Sequence, residues 1–211
     1  MYIPPAFCVE NPEKLADLMR DHSFATVITH DGRDSFASHL PVLFDPDRGP
    51  HGTLMGHMAR GNPQWGHFSQ ETEVLVIFHG PHAYISPSMY ETAPAVPTWN
   101  YAVVHAYGVP GIIEDRDRLA DLLDQTVTAY ESGRPKPWTG AMPPEFRDKL
   151  MLGIVGFEIQ ITRIDGKFKL GQNRPIADQR RVYAELSDSD DTSEKGVAAL
   201  MLRECPEMTQ E

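Results

Sequence analysis

Cysteine is nearly missing from this chain: its 211 residues hold two, Cys8 and Cys205, near opposite ends. No Cys-x-x-Cys spacing occurs, so neither a disulfide framework nor a thiolate zinc site is expected. Long apolar runs are also missing, and nothing approaches the length that crosses a bilayer. The opening residues, MYIPPAFCVENPEK, have neither a basic start nor a long apolar segment. No signal peptide is expected, and the reading is a cytoplasmic protein. Basic runs are a third lack. The net charge is −11, with eight acidic residues against Lys195 and Arg203 in 185–211, which leaves −5 on residues 1–184. Nucleic-acid affinity comes chiefly from neutralising phosphates with Lys and Arg, so this balance argues against direct DNA binding.

What remains is ordinary for a globular protein: 41% hydrophobic and 23% charged residues. The length allows one generous domain or two small ones. Asn11-Pro12 opens a helix whose Leu15, Leu18 and Met19 share a face. FATVITH (24–30), the Asp31-Gly32 turn and SFASHLPVLF (35–44) read as a hairpin. GTLMG (52–56), EVLVIFHG (73–80) and NYAVVHAYGVPGII (100–113) read as strands, and Asp115 caps a helix carrying Leu119, Leu122, Leu123 and Tyr130 that stops at Gly133. VGFEIQIT (155–162) alternates cleanly between Val155, Phe157, Ile159, Ile161 and their polar or small neighbours, as a strand with one wet face does. Hairpins without helical crossovers predict a mainly β fold, an antiparallel barrel with peripheral helices, over residues 1–186. Residues 187–211 read as an acidic, mobile tail with room for one short helix.

The chemistry starts at GHMARGNPQW (56–65), where a strand runs into a helix start. Asn62 suits the cap and Pro63 the first helical position, and Arg60 stands beside them. Helix N-termini attract anions and an arginine fork binds phosphate, with His57 as a neighbouring donor. The plain alternative is a surface arginine before a helix that binds nothing. Among nine histidines, His79-Gly-Pro-His82 is the obvious metal candidate, but a Gly-Pro turn between them fixes no common face, and no metal site is expected. KFKLGQNR (167–174), the most basic stretch, reads as a solvated turn after a hairpin that could touch a phosphate or an acidic surface.

MYIPPAF, SHLPVLF, GHMARGNPQW, VLVIFHGPHAYISPSMY, VPTWNYAVVHAYG and GFEIQITRIDGKFKLGQNRP follow in order over residues 1–175. Together they resemble the PaiB-like family of FMN-binding split barrels, often labelled negative transcriptional regulators. The resemblance implies a six-stranded antiparallel Greek-key split barrel of the pyridoxamine-phosphate-oxidase type, a homodimer, and FMN as cofactor. Gly171 stands where the family has serine and Met89 where it has tryptophan.

Within that frame Arg60, Asn62 and His57 are expected to take the FMN phosphate. Trp99 and Tyr101 could line the isoalloxazine and Asn100 could bond its polar edge, or the aromatics could be plain core. By the same resemblance Ser38 and His39 fall near the pocket, and Lys169 and Gln172 fall in the flavin or dimer region. The function implied is FMN binding, with FMN-dependent redox activity as the enzymatic reading. The alternatives are a regulator acting through a partner or DNA without flavin chemistry, and a haem-handling protein, since one histidine suffices as an axial ligand. No helix-turn-helix with a basic recognition helix is visible.

Overall fold

A computed structural model describes residues 1–70 and 72–209. Seven strands follow in chain order: β1 (Cys8–Val9), β2 (Phe24–His30), β3 (Ser35–Asp45), β4 (Thr53–Ala59), β5 (Val74–Ile85), β6 (Thr98–Ile113) and β7 (Ile154–Lys169). The helices are α1 (Pro12–Asp21), α2 (Arg116–Glu131), α3 (Pro144–Met151), α4 (Ile176–Asp188) and α5 (Thr192–Glu204). The sheet order is β1-β7-β4-β3-β2-β5-β6, and β7 also pairs with β6, so the order returns on itself as in a barrel.

The sheet carries seven strands among the described residues, not the expected six. The extra one is β1, paired antiparallel with the end of β7 through Cys8–Lys167 and Val9–Gly166. A glycine is required there, because a Cβ on Gly166 would sit 2.2 Å from Leu15 Cδ2 and 2.8 Å from the Val9 carbonyl. The Asp-Gly signal at 165–166 therefore marks a close strand approach and not a turn, and β7 runs unbroken to Lys169. KFKLGQNR accordingly does not follow a hairpin, and its Lys167 is buried rather than solvated. Gly80-Pro81 likewise lies inside β5, where a Cβ on Gly80 would meet the Ala102 carbonyl at 2.9 Å.

The chain divides into two compact units. Unit 2 comprises residues 19–78 and 105–164. Its buried residues include Val27, Val42, Leu54, Val76, Phe157 and Ile159, the last two from the alternating run of β7. A second cluster gathers Met55, Ile113, Leu119, Leu122 and Met151, which is where the apolar face of α2 goes. Asp115 caps α2 by accepting from the Arg118 N–H. Gly108 makes the tightest approach to backbone: a Cβ there would lie 2.3 Å from the Gln160 carbonyl oxygen, which cannot swing away as a side chain can. Gly108→Ala should therefore cost about 1–3 kcal/mol by overpacking, read as a lower urea midpoint. An unchanged midpoint would show that the strands can separate freely.

Unit 1 comprises residues 1–18, 79–104 and 165–211. The span expected as an acidic tail contributes α5, whose Val197, Ala198 and Met201 are buried, and Gly196 packs against Pro81. Asp191 caps α5 through the Ser193 and Glu194 N–H groups, and Glu204 near its end pairs with Lys14 at 2.5 Å. The polar SDSDD stretch supplies this cap while the apolar residues behind it supply packing.

Candidate functional site

The expected site residues fall into two sets, one in each unit. In unit 2, Asn62 starts a 3-10 helix over Pro63–Gln70, accepting from the Gln64 N–H at 3.0 Å as the sequence predicts. Its Nδ2 donates to Ser38 Oγ at 2.8 Å, so these two candidates meet directly. His39 shares a 3.1 Å hydrogen bond with Thr26 Oγ1 and lies tilted against Phe24. His57 sits on β4 opposite Gly156 of β7, and burial lowers its pKa, so the ring is neutral at pH 7.

Arg60 follows directly after β4 and is tightly held. Its backbone N–H reaches the Gly153 carbonyl at 2.8 Å, Nε donates to Leu152 O and Nη2 to Ile154 O, each at 2.9 Å. The Arg60 carbonyl in turn accepts from Trp65 Nε1. The guanidinium thus has a fixed orientation, unengaged N–H groups and no carboxylate partner among the described residues. It lines a cleft of about 820 Å³ together with Trp65, Ile112, Leu119, Lys149 and Leu152, while Arg116 and Asp148 pair with each other at that cleft. The size is that of a small-molecule site.

In unit 1, the start of β6 alternates: Trp99 is 52% exposed and Asn100 2% exposed. Trp99 is therefore not core; it meets the Tyr84 ring edge-on at 5.8 Å and lies 6.1 Å from the His82 ring. Tyr101 faces Lys167, whose ammonium lies 5.2 Å from its ring centroid. Lys169 Nζ donates to Thr98 Oγ1 and to the Trp99 carbonyl, both at 2.6 Å. Burial, then the charges of Lys167 and Arg174, hold its pKa below the usual lysine range. Gln172 spends its amide on the turn, accepting from the Leu170 N–H and donating to the Phe168 carbonyl. Gly171, at φ +82°, takes a conformation in which the serine expected there from the resemblance would be strained. Asn100 Oδ1 is buried with no hydrogen-bond partner.

Two further residues are of consequence: Arg174, read in the sequence only as part of the basic stretch 167–174, and Asp178, which the sequence reading does not single out. Arg174 lies over the Tyr90 ring, 4.3 Å from its centroid. Asp178, fully buried in the first turn of α4, accepts from the Glu91 and Thr92 N–H groups and the Thr92 hydroxyl. An acidic residue three positions after Pro175 is a readable helix-start signal; its partners some 87 positions away are not. His79 and His82 both lie on β5 and are both exposed, so the Gly80-Pro81 step between them is strand and not the expected turn. No group of three or more His, Cys, Asp or Glu suited to a metal ion stands among the described residues, and no helix there is long and apolar enough to cross a membrane.

Comparison with known proteins agrees with this architecture. The family model described as "Putative FMN-binding domain" matches residues 1–163. The protease synthase and sporulation protein PAI 2 of Bacillus subtilis is 40% identical over 203 residues, 95% of this chain and 96% of that protein. The flavocytochrome Anf3 from Azotobacter vinelandii superposes with a TM-score of 0.62 at 12% identity, over 77% of this chain and 69% of that one. The FAD and heme binding protein from Mycobacterium smegmatis gives 0.59 at 16%, over 77% and 73%. At such identities the structural likeness speaks for the fold alone, a mainly antiparallel split barrel with added helices.

Proposed function

We propose that this chain, which belongs to the PaiB-like family of FMN-binding split-barrel proteins, binds FMN with its phosphate at the 57–62 junction of unit 2. The observation that carries the reading is Arg60: a guanidinium fixed by two backbone carbonyls, with unspent donors and no acidic partner among the described residues. That donor set fits a phosphate group, and Ser38, held by Asn62, keeps a hydroxyl proton to give. His57, neutral because burial lowers its pKa, and His39 complete the set. Trp99, Asn100, Tyr101 and Lys169 form in unit 1 a separate set of flavin-compatible chemistry, which Gln172 supports by shaping the adjacent turn. Bound FMN supplies hydride and one-electron chemistry, and the protein supplies orientation, which is the basis for an FMN-dependent redox activity.

The test is the absorption spectrum of freshly purified protein, followed by FMN titration. A flavin spectrum, with FMN released on denaturation, is expected. A colourless protein that takes up no flavin, or one that shows a haem band instead, overturns the reading.

A homodimer is part of this proposal. Phe24 and Phe36, 68% and 37% exposed on β2 and β3, are apolar surface that a second copy can cover. Light scattering over a dilution series should give the dimer mass; a monomer mass at micromolar concentrations and above ends it. Acting as a regulator through direct DNA contact is disfavoured by the charge of −11. Promoter fragments should show no sequence-selective binding in fluorescence anisotropy at physiological salt, and tight, steeply salt-dependent binding would restore that role.

A further inference from the structure

The basic stretch at the end of β7 has more in it than a flavin contact, and all of its parts lie in unit 1. Lys167, Lys169 and Arg174 stand near enough for the other two charges to depress the Lys169 ammonium. Lys167 is 8% exposed and donates a hydrogen bond to the Tyr2 carbonyl at 3.2 Å, a neutral partner. Lys169 also bonds only neutral oxygens, those of Thr98 and Trp99, and keeps one N–H unspent. The Arg174 guanidinium carbon lies 4.3 Å from the Tyr90 ring centroid, and its N–H groups meet no acceptor among the described residues.

The carboxylates nearby are otherwise engaged. Asp178 acts on Arg174 at a distance while accepting from Thr92 and Glu91, and Asp165 holds the Met1 amino group at 3.0 Å. Like charges gathered on half-buried side chains are unfavourable unless an anion joins them. A second observation is independent of charge. Asn100, 2% exposed and flanked by Gly171, leaves Oδ1 buried without a partner, a cost that a native fold ordinarily avoids. Gly171 leaves the space beside it: a Cβ there would stand 3.6 Å from Asn100 Nδ2.

We propose that the turn closing β7 is an anion site for a phosphomonoester, gripped by Lys169 and Arg174, with the Asn100 carboxamide as third partner. A phosphate suits this set because it presents several acceptor oxygens and, when singly protonated, an O–H that an amide oxygen can accept. The ion completes hydrogen bonds that the chain leaves open. The site shares Asn100 and Lys169 with the flavin-compatible set of the proposed function, and the titration with and without FMN separates the two uses.

Inorganic phosphate titrated calorimetrically into the full chain, as purified and again after saturation with FMN, tests it. Wild type should bind at millimolar concentration or below. Arg174→Gln should weaken binding at least tenfold, and Arg174→Lys should retain most of it. Asn100→Asp, which places a carboxylate among the cations, should abolish binding without lowering the melting temperature. If FMN blocks phosphate while riboflavin does not, the anion accommodated here is the flavin's own phosphate. If phosphate still binds beside FMN, the site serves a second phosphomonoester. Failure of the FMN reading leaves the phosphate measurement intact. No binding to wild type, or equal binding to wild type, Arg174→Gln and Asn100→Asp, overturns the proposal.

Discussion

Replacing Arg60 by alanine should weaken FMN binding at least tenfold. A hydrogen bond to a charged group contributes about 1.5–3 kcal/mol, and each 1.4 kcal/mol is about tenfold in affinity. The loss divides into two parts with different signatures. One is the donor fork itself, which alanine removes. The other is the tie from Arg60 to the Leu152 and Ile154 carbonyls, which orders the segment between α3 and β7. Leu152 is 74% exposed, so water can replace that tie, and the stability loss should stay near about 1 kcal/mol. Arg60→Lys keeps the charge but not the fork, and should fall between wild type and alanine for FMN. Riboflavin, which has no phosphate, should bind all three proteins alike. Flavin fluorescence titrations read both ligands. Equal FMN affinities for wild type and Arg60→Ala would remove Arg60 from the site.

How far the sequence alone reveals this molecule depends on whether the governing contact is local. The β2–β3 hairpin is read correctly because its determinants are adjacent. Asp31 Oδ1 accepts from the Arg33 and Asp34 N–H groups, and Gly32 takes φ +93°. The Val155–Ile161 alternation is read correctly because one face of β7 is buried throughout that stretch. Gly80-Pro81 and Asp165-Gly166 carry turn chemistry but are strand, since distant neighbours (Ala102, Leu15, Val9) need a missing Cβ more than the chain needs a turn. Helix α3 is hidden by the prolines before it, although Pro144 at its first position is a legitimate start. The candidate site follows the same rule. The Asn62 cap is visible in the sequence, whereas the Arg60 partners lie 92 and 94 positions away and Arg174 finds Tyr90 only in the fold.

Asp178 should set the acid limit of unit 1. The Thr92 hydroxyl, then the Glu91 and Thr92 N–H groups and the Arg174 charge, hold its carboxyl below the usual range. In the unfolded chain it titrates near its ordinary value of about 3.9. A folded pKa below the unfolded one means that the ionised form favours the native state. That contribution is fully present above about pH 4 and is lost as pH falls through the lower, folded value. The carboxylate sits in the first turn of α4, where the helix dipole favours negative charge, and it fastens the segment leading toward Trp99 and Asn100. Asp178→Ala leaves these buried donors unmatched, so the melting temperature at pH 7 should fall by several degrees. Asp178→Asn keeps an acceptor for the N–H groups and can accept or donate at Thr92, so its loss should be smaller. Both variants should flatten the decline of melting temperature below about pH 4, because the titrating group is gone. Calorimetric scans from neutral to acid pH on the three proteins decide this. An acid decline as steep in Asp178→Asn as in wild type would assign the limit to other carboxylates, such as Glu158 between Arg48 and Arg118 in unit 2.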